Sequence, residues 1–332
     1  MIMILNLHTF LVPETLTWKT INYPIILKII SESLSICAVN TFVLISGYYS
    51  IKWKWKGFFS LVYQVYFFVF LIYIFLLAIG FIQFSWTDLF FRSTCLTHAY
   101  WFITSYIVLY VLAPILNVFI NNVTKKQLTV FLIAFFSLEF YFSTLGVIFD
   151  SGYSPLHFIG LYLIGQYLRK YPPEFSHSKT SSLLLYFIMT LCIAILFTAN
   201  KILSGNTKTY FYLIGGCYSN PFVILQSVAL FFIFKNITFH NKIVNWCSIS
   251  TLSVYLSHMH PDLKQLYYSH TASLYNLNIF NRFIHLFILF TVIFILSILI
   301  DKIRICSFNF ICLLIDKHKN MHKDALNMYK TK

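Results

Sequence analysis

Apolar residues in this chain neither alternate with polar ones nor recur only every third or fourth position. They fill whole windows, at 1–12, 33–51, 58–82, 100–120, 128–148, 154–169, 181–200, 218–236, 247–261 and 281–301. Inside lipid a backbone must satisfy its own hydrogen bonds, which only helices and closed barrels achieve. Barrel strands would alternate apolar and polar residues over segments of about 10 residues. Windows that are longer and apolar all round therefore predict an all-α, polytopic transmembrane bundle of about ten helices. The sixth and ninth windows are short and rich in polar residues, and the eighth can start earlier, since 210–216 is also apolar. The first covers only 12 residues, whereas about 20 cross a hydrocarbon core, so the first helix is expected to be truncated.

Composition agrees with lipid as the main solvent. Of 332 residues, 59% are hydrophobic and 10% charged, against about 25% charged in a soluble domain. The net charge of +14 would suggest nucleic acid in a soluble protein. Here the basic residues lie between apolar windows and at the end of the chain, where they act as topology determinants facing anionic lipid. With the N-terminus placed in the cytoplasm, 17 of the 24 Lys and Arg residues fall on the inner side and 7 on the outer. The expectation is a multi-pass protein with both termini cytoplasmic, a transmembrane domain at 1–301 and a basic cytoplasmic tail at 302–332. No nucleic-acid partner is expected. The seven cysteines are odd in number, form no C-x-x-C pair and mostly sit in apolar runs, which argues against a disulfide framework or structural zinc. Glycine is scarce, and no paired Gly/Pro interruptions of the kind found in inverted-repeat transporters stand out. The N-terminus lacks the basic region of a signal peptide, so 1–12 is not read as cleaved.

A few polar residues inside the windows are candidates for chemistry. His8 is an ionisable group in the first apolar run, which is a functional candidate by default and has the chemistry of a general base. Ser46 can bond across helices, and Gly47 permits close backbone approach. Beyond Tyr48, Lys52, Lys54 and Lys56 alternate with Trp53 and Trp55. They read either as a phosphate-binding cluster or as a positive-inside anchor with an aromatic belt. Trp101, Tyr106 and Tyr110 share one helical face, and Pro114 is expected to kink that helix or interrupt its ladder. His157 stands near the outer end of the sixth run, and Glu139 is the one acidic residue well inside a span. His258, His260 and Asp262 carry metal-ligating side chains, but His258 and His260 point to different sides of a helix, which argues against a metal.

Together these segments resemble the integral-membrane acyltransferase family 3, which includes bacterial O-antigen and capsule O-acetyltransferases. The resemblance rests on His8, ISGY at 45–48, YWFITSYIVLYVLAPILN at 100–117, HFIGLYLIGQYLRKY at 157–171 and STLSVYLSH at 250–258. It implies a ten-helix bundle in the bacterial inner membrane. No cofactor is held; the bundle moves an acyl group, often acetyl, from acyl-CoA to a hydroxyl of a surface glycan or its lipid-linked precursor. By that resemblance His8 is the essential histidine, as general base or as covalent relay. Ser46, Tyr48, Lys52, Lys54, Lys56, Trp101, Tyr106, His157 and His258 are candidate substrate-binding residues. The family's arginine upstream of that histidine would fall before Met1, consistent with an N-terminus that begins late. Where the family often has Arg after the SGY segment, the three lysines keep the charge but lose the bidentate fork. A transporter or flippase for a lipid-linked sugar, or a non-enzymatic membrane scaffold, would share the same hydrophobicity.

Overall fold

The computed structural model describes residues 1–9, 23–93, 100–144, 150–204, 217–274 and 277–330. The described chain is helical, without strands, and each of the ten windows contains a helix. Lys19 and the 210–216 stretch lie outside the described residues. In chain order the helices are α1 (Ile2–Thr9), α2 (Tyr23–Ser35), α3 (Ala38–Tyr49), α4 (Trp55–Ala78), α5 (Trp86–Ser93), α6 (Trp101–Asn122) and α7 (Lys125–Thr144). They continue as α8 (Pro155–Lys170), α9 (Lys179–Ser204), α10 (Pro221–Lys235), α11 (Lys242–Ser248), α12 (Thr251–His258), α13 (Lys264–Ser273) and α14 (Ile279–Lys330). Five stretches, 26–49, 55–78, 101–122, 179–199 and 279–317, are long and apolar enough to cross a bilayer.

Length sorts these helices by position. The long helices α4, α6, α9 and α14 lie at the periphery and expose Ile74, Phe75, Ile115, Leu184 and Phe287 to lipid. The shorter α8 and α10 lie in the centre, with residues buried on most sides. Both start with a proline in the first turn behind a side-chain cap. Ser154 Oγ accepts from the His157 amide at 3.3 Å, and Asn220 Oδ1 accepts from the Phe222 amide at 2.8 Å. Proline costs nothing there, because the first amides of a helix have no partner within it.

Close packing at the centre depends on two glycines. A Cβ on Gly47 would collide with the Tyr162 carbonyl oxygen, and one on Gly165 with the Leu44 carbonyl. Helices α3 and α8 therefore touch backbone to backbone, the use of small residues by which membrane helices associate.

Three boundaries differ from the sequence expectation. The second crossing starts near 26 rather than 33 and breaks around Ile36 and Cys37 into α2 and α3. Its first half carries Lys28, Ser31, Glu32, Ser33 and Ser35, which dilute the hydropathy. Much of that polarity turns inward: Asn6 Nδ2 donates to Ser31 Oγ at 2.6 Å and Ser35 Oγ at 2.8 Å, and Gln226 Nε2 to the Ser33 carbonyl at 2.8 Å. The ninth run is two short helices, α11 and α12, meeting near Ile249 and Ser250. The last run does not end at 301, because α14 continues without a break to Lys330. Arg304 is buried in the bundle and ion-paired to Asp301 at 2.9 Å, while Gln64 Nε2 donates to the same carboxylate at 2.8 Å. Pro114 lies within α6, which runs on past it to Asn122. Proline removes the hydrogen bond that the Tyr110 carbonyl would have accepted, and its ring crowds that carbonyl.

Candidate functional site

His8 comes from the last turn of α1 and meets His258 at the end of α12, 250 positions away, with Nδ1 of His8 2.9 Å from Nε2 of His258. The ring centroids are 5.1 Å apart and the rings are tilted by 45°. Tyr267 on α13 clamps α1 from the side by donating its hydroxyl to the Leu5 carbonyl at 2.9 Å. His258 is nearly fully buried, and its Nδ1 lies 2.5 Å from the Val254 carbonyl oxygen.

The two histidines separate two spaces. On the His8 side is a cavity of about 130 Å³, lined by Met1, Ile4, Leu7, His8, Glu32, Ile36, Val39, Phe42, Trp101, Phe102, Tyr153, Tyr218, Leu252 and Tyr255. On the His258 side is a larger, apolar groove of about 720 Å³ between α4, α13 and α14, lined by Leu71, Ile72, Phe75, Leu76, Leu289, Ile293 and Leu296 among others. The aromatic wall of the cavity is a packed trio. Trp101 stacks on Tyr218 at 5.6 Å and 28°, and Tyr153 meets Trp101 at 4.6 Å and Tyr218 at 4.8 Å. Flat aromatic faces beside a carboxylate and an imidazole suit a ligand that has both C–H faces and hydroxyls.

Of the residues singled out in the sequence, His8 and Trp101 line the cavity, and His258 reaches it only through His8. Tyr106 and Ser46 are not among the lining residues. Their hydroxyls are 3.1 Å apart, and Tyr106 stacks on Phe102 of the cavity wall. Ser46, next to Gly47, thus bonds across helices. Tyr48 packs on Phe231 at 4.8 Å, with Lys235 Nζ 5.4 Å from its ring centroid. Lys52, Lys54 and Lys56 are exposed at the end of the bundle beyond Tyr48. Arg169 reaches the same end, donating to the Tyr48 carbonyl at 3.4 Å.

His157 is elsewhere. It is fully buried, with Nδ1 2.8 Å from Glu139 Oε1 and Nε2 3.1 Å from Asn40 Oδ1. Asn40 Nδ2 donates to the Tyr218 carbonyl at 2.9 Å, so Oδ1 is its accepting end and His157 Nε2 carries a hydrogen. The contact with Glu139 then shares one proton, and the pair is neutral overall whether written as imidazolium and carboxylate or as imidazole and acid. Its nitrogens face protein groups, and its reach to the cavity is indirect, through Asn40 and the Tyr218 backbone.

His260 turns away from His258. Its Nε2 donates to the Val69 carbonyl at 3.2 Å and its Nδ1 accepts the Asp262 amide at 3.3 Å. Asp262 receives both terminal nitrogens of Arg92 on α5, one of them at 2.8 Å, and the Arg92 guanidinium lies 4.5 Å over the Tyr73 ring. His258 and His260 thus have separate partners, while His260 and Asp262 adjoin each other, with His260 Nδ1 also 3.5 Å from Asp262 Oδ2.

The sequence does not by itself mark Glu32, Tyr153, Tyr218 or Tyr255. Glu32 sits in the polar half of the second crossing, outside the window drawn there. Tyr153 and Tyr218 precede the capped starts of α8 and α10, where an aromatic reads as an interfacial belt residue. The signal that recovers them is their place one or two residues before the cap, at the mouth of the central helices.

Neither a curated protein nor a solved structure matches the chain. A family model described as an acyltransferase domain matches residues 1–302, from the first histidine-bearing helix to the buried part of the last. That match takes in both histidines, the aromatic wall and the α3–α8 contact, and by it the chain belongs to the integral-membrane acyltransferase family 3 and is a membrane acyltransferase.

Proposed function

We propose that the protein is an O-acyltransferase of the bacterial inner membrane. In this reading it moves an acyl group, acetyl in the simplest case, from acyl-CoA to a hydroxyl of a surface polysaccharide or its lipid-linked precursor. The observation that carries this reading is His8 at the wall of a cavity that also presents Glu32 and the Trp101–Tyr153–Tyr218 trio. Aromatic faces stack on the C–H faces of sugars, and a carboxylate accepts from their hydroxyls. An imidazole beside them is placed to take a proton from one hydroxyl. The oxygen then attacks the thioester carbonyl carbon. The C–O bond forms, the C–S bond breaks, and the proton held on His8 passes to the departing CoA thiolate. No co-reactant is needed, and holding both substrates in one dry site supplies the orientation.

The donor is assigned to the basic end of the bundle, taken as cytoplasmic along with both termini. From Phe42, in the cavity wall, to Tyr49 helix α3 rises roughly 10 Å at 1.5 Å per residue, and Lys52 lies in the non-helical stretch beyond its end. That is a span an extended pantetheine arm can follow, with the CoA phosphates among Lys52, Lys54, Lys56 and Arg169. The test is turnover by the purified protein in lipid, given acyl-labelled acyl-CoA and a glycan or lipid-linked sugar acceptor. Label appearing on the acceptor as an ester, with free CoA released in step, supports the reading. Movement of the lipid-linked sugar between leaflets without ester formation would favour a flippase instead.

A further inference from the structure

We infer that His258 is a positioning residue: it fixes the tautomer of His8 so that the Nε2 lone pair of His8 faces the cavity. This inference rests on the proposal that His8 is the base. A backbone carbonyl can only accept. The Val254 oxygen 2.5 Å from His258 Nδ1 therefore places a hydrogen on that nitrogen. In a neutral imidazole the other nitrogen then has the lone pair. His258 Nε2 is 2.9 Å from His8 Nδ1, so His8 must donate there. The same rule, applied once more, leaves His8 Nε2 as the acceptor, on the ring that lines the cavity.

The opposite polarity requires a doubly protonated His258. That cation would sit nearly fully buried between a carbonyl, a second imidazole and an apolar groove, a costly place for a charge within a membrane. The neutral chain thus runs in one direction, from His8 Nδ1–H to His258 Nε2 and from His258 Nδ1–H to Val254.

The same geometry removes His258 from direct contact with substrate. Both of its nitrogens are used within the protein, and the rest of the ring borders the groove lined by Leu71, Phe75 and Ile293. When His8 takes the acceptor proton, its Nδ1–H bond to His258 Nε2 strengthens, because the donor is then charged. His258 therefore acts on the transition state more than on either bound substrate. The principle is that of the orienting group in a hydrolase triad, where the wrong tautomer of the base costs about 10⁴-fold in rate.

The experiment compares His258→Leu, His258→Asn and His258→Gln, each alone and with His8→Ala, in the purified, lipid-reconstituted protein. A Gln side chain can place its amide oxygen near the position of Nε2 and accept from His8, whereas the Asn amide falls short. Leu and Asn should lower kcat by about 10²-fold or more while both KM values stay within about twofold. Gln should stay within about tenfold of the parent. Combined with His8→Ala, none of the three should lower the residual rate further, since a group acting only through His8 has nothing left to act on. Asn and Gln have matched polarity, so their comparison stands even where the Leu variant fails to fold. Parental kcat in the Asn variant while His8→Ala is inactive would overturn the inference and leave the His8 base intact. So would a loss confined to KM, or Gln no better than Asn. Parental activity in His8→Ala would sink the base reading itself, and the role of His258 with it.

Discussion

At the scale of single residues, the candidate site depends on where each polar side chain finds its partner. Sequence marks His8, His157 and His258 alike, as ionisable groups in apolar runs. It cannot separate them, because helical spacing gives a face but not the neighbour across it. The structure gives His8 a cavity, His258 a second histidine and His157 a buried carboxylate. Breaking a buried hydrogen-bonded pair by removing one partner costs about 1–3 kcal/mol for the group left unsatisfied, and more where that group is charged. His157→Leu should therefore lower the thermal midpoint of the solubilised protein sharply. The double replacement His157→Leu with Glu139→Leu should recover part of that loss, since no ionisable group then lacks its partner. Equal midpoints for the single variant and the parent would show that the pair carries no stability. Trp101→Ala removes the ring that packs on both Tyr153 and Tyr218. At about 0.5–1.5 kcal/mol for an aromatic stack, it should raise the acceptor KM roughly 2- to 12-fold and leave the acyl-CoA KM unchanged, a split that initial-rate kinetics resolves.

At the scale of elements, hydropathy locates the helices well and their ends less well. Every apolar window holds a helix, but α2 is missed because its serines, Lys28 and Glu32 look like loop composition. Their hydrogen bonds to Asn6 and Gln226 become visible only when α1 and α10 are packed beside them. The close contact of α3 with α8 is half legible. Gly47 in ISGY signals an approach, while the partner Gly165 is recognised only from the carbonyl of Leu44 opposite it. Because that neighbour is backbone, it cannot rotate away from a new side chain. Gly165→Leu should destabilise by at least the roughly 1–3 kcal/mol usual for overpacking, read as loss of a monodisperse peak in detergent and a lowered unfolding temperature. A folded variant with an unchanged midpoint would mean that the two helices pack less closely than described.

At the scale of the whole molecule, the class of fold is legible in composition alone, since a chain with 10% charged residues cannot clothe itself for water. The division of labour between long lipid-facing helices and short buried ones is not legible, because a short apolar run looks the same whether it is central or interfacial. Charge gathers at one end of the bundle, where Lys52, Lys54, Lys56, Arg169 and Lys170 lie beyond Tyr48 and Gln166. Replacing the three lysines together by Gln should raise the apparent KM for acyl-CoA several-fold with kcat retained. Raising the ionic strength should narrow the difference, as screening weakens the parent's advantage. An unchanged donor KM would return these residues to the role of a membrane anchor. The same end should be cytoplasmic, so a single cysteine introduced at position 52 should react with an impermeant thiol reagent only after the cells are opened.

His8 is the centre of the proposed mechanism, and the rate of acyl transfer by the His8→Ala protein tests its role most directly. The measurement is ester formation on the acceptor by purified protein in lipid, compared with the parent at equal folded amount. Loss of a general base predicts a fall of about 10²–10⁴-fold in kcat. Membrane insertion should be retained, since Ala is the more easily inserted residue. Ester formation at the parental rate by the Ala variant would contradict the account.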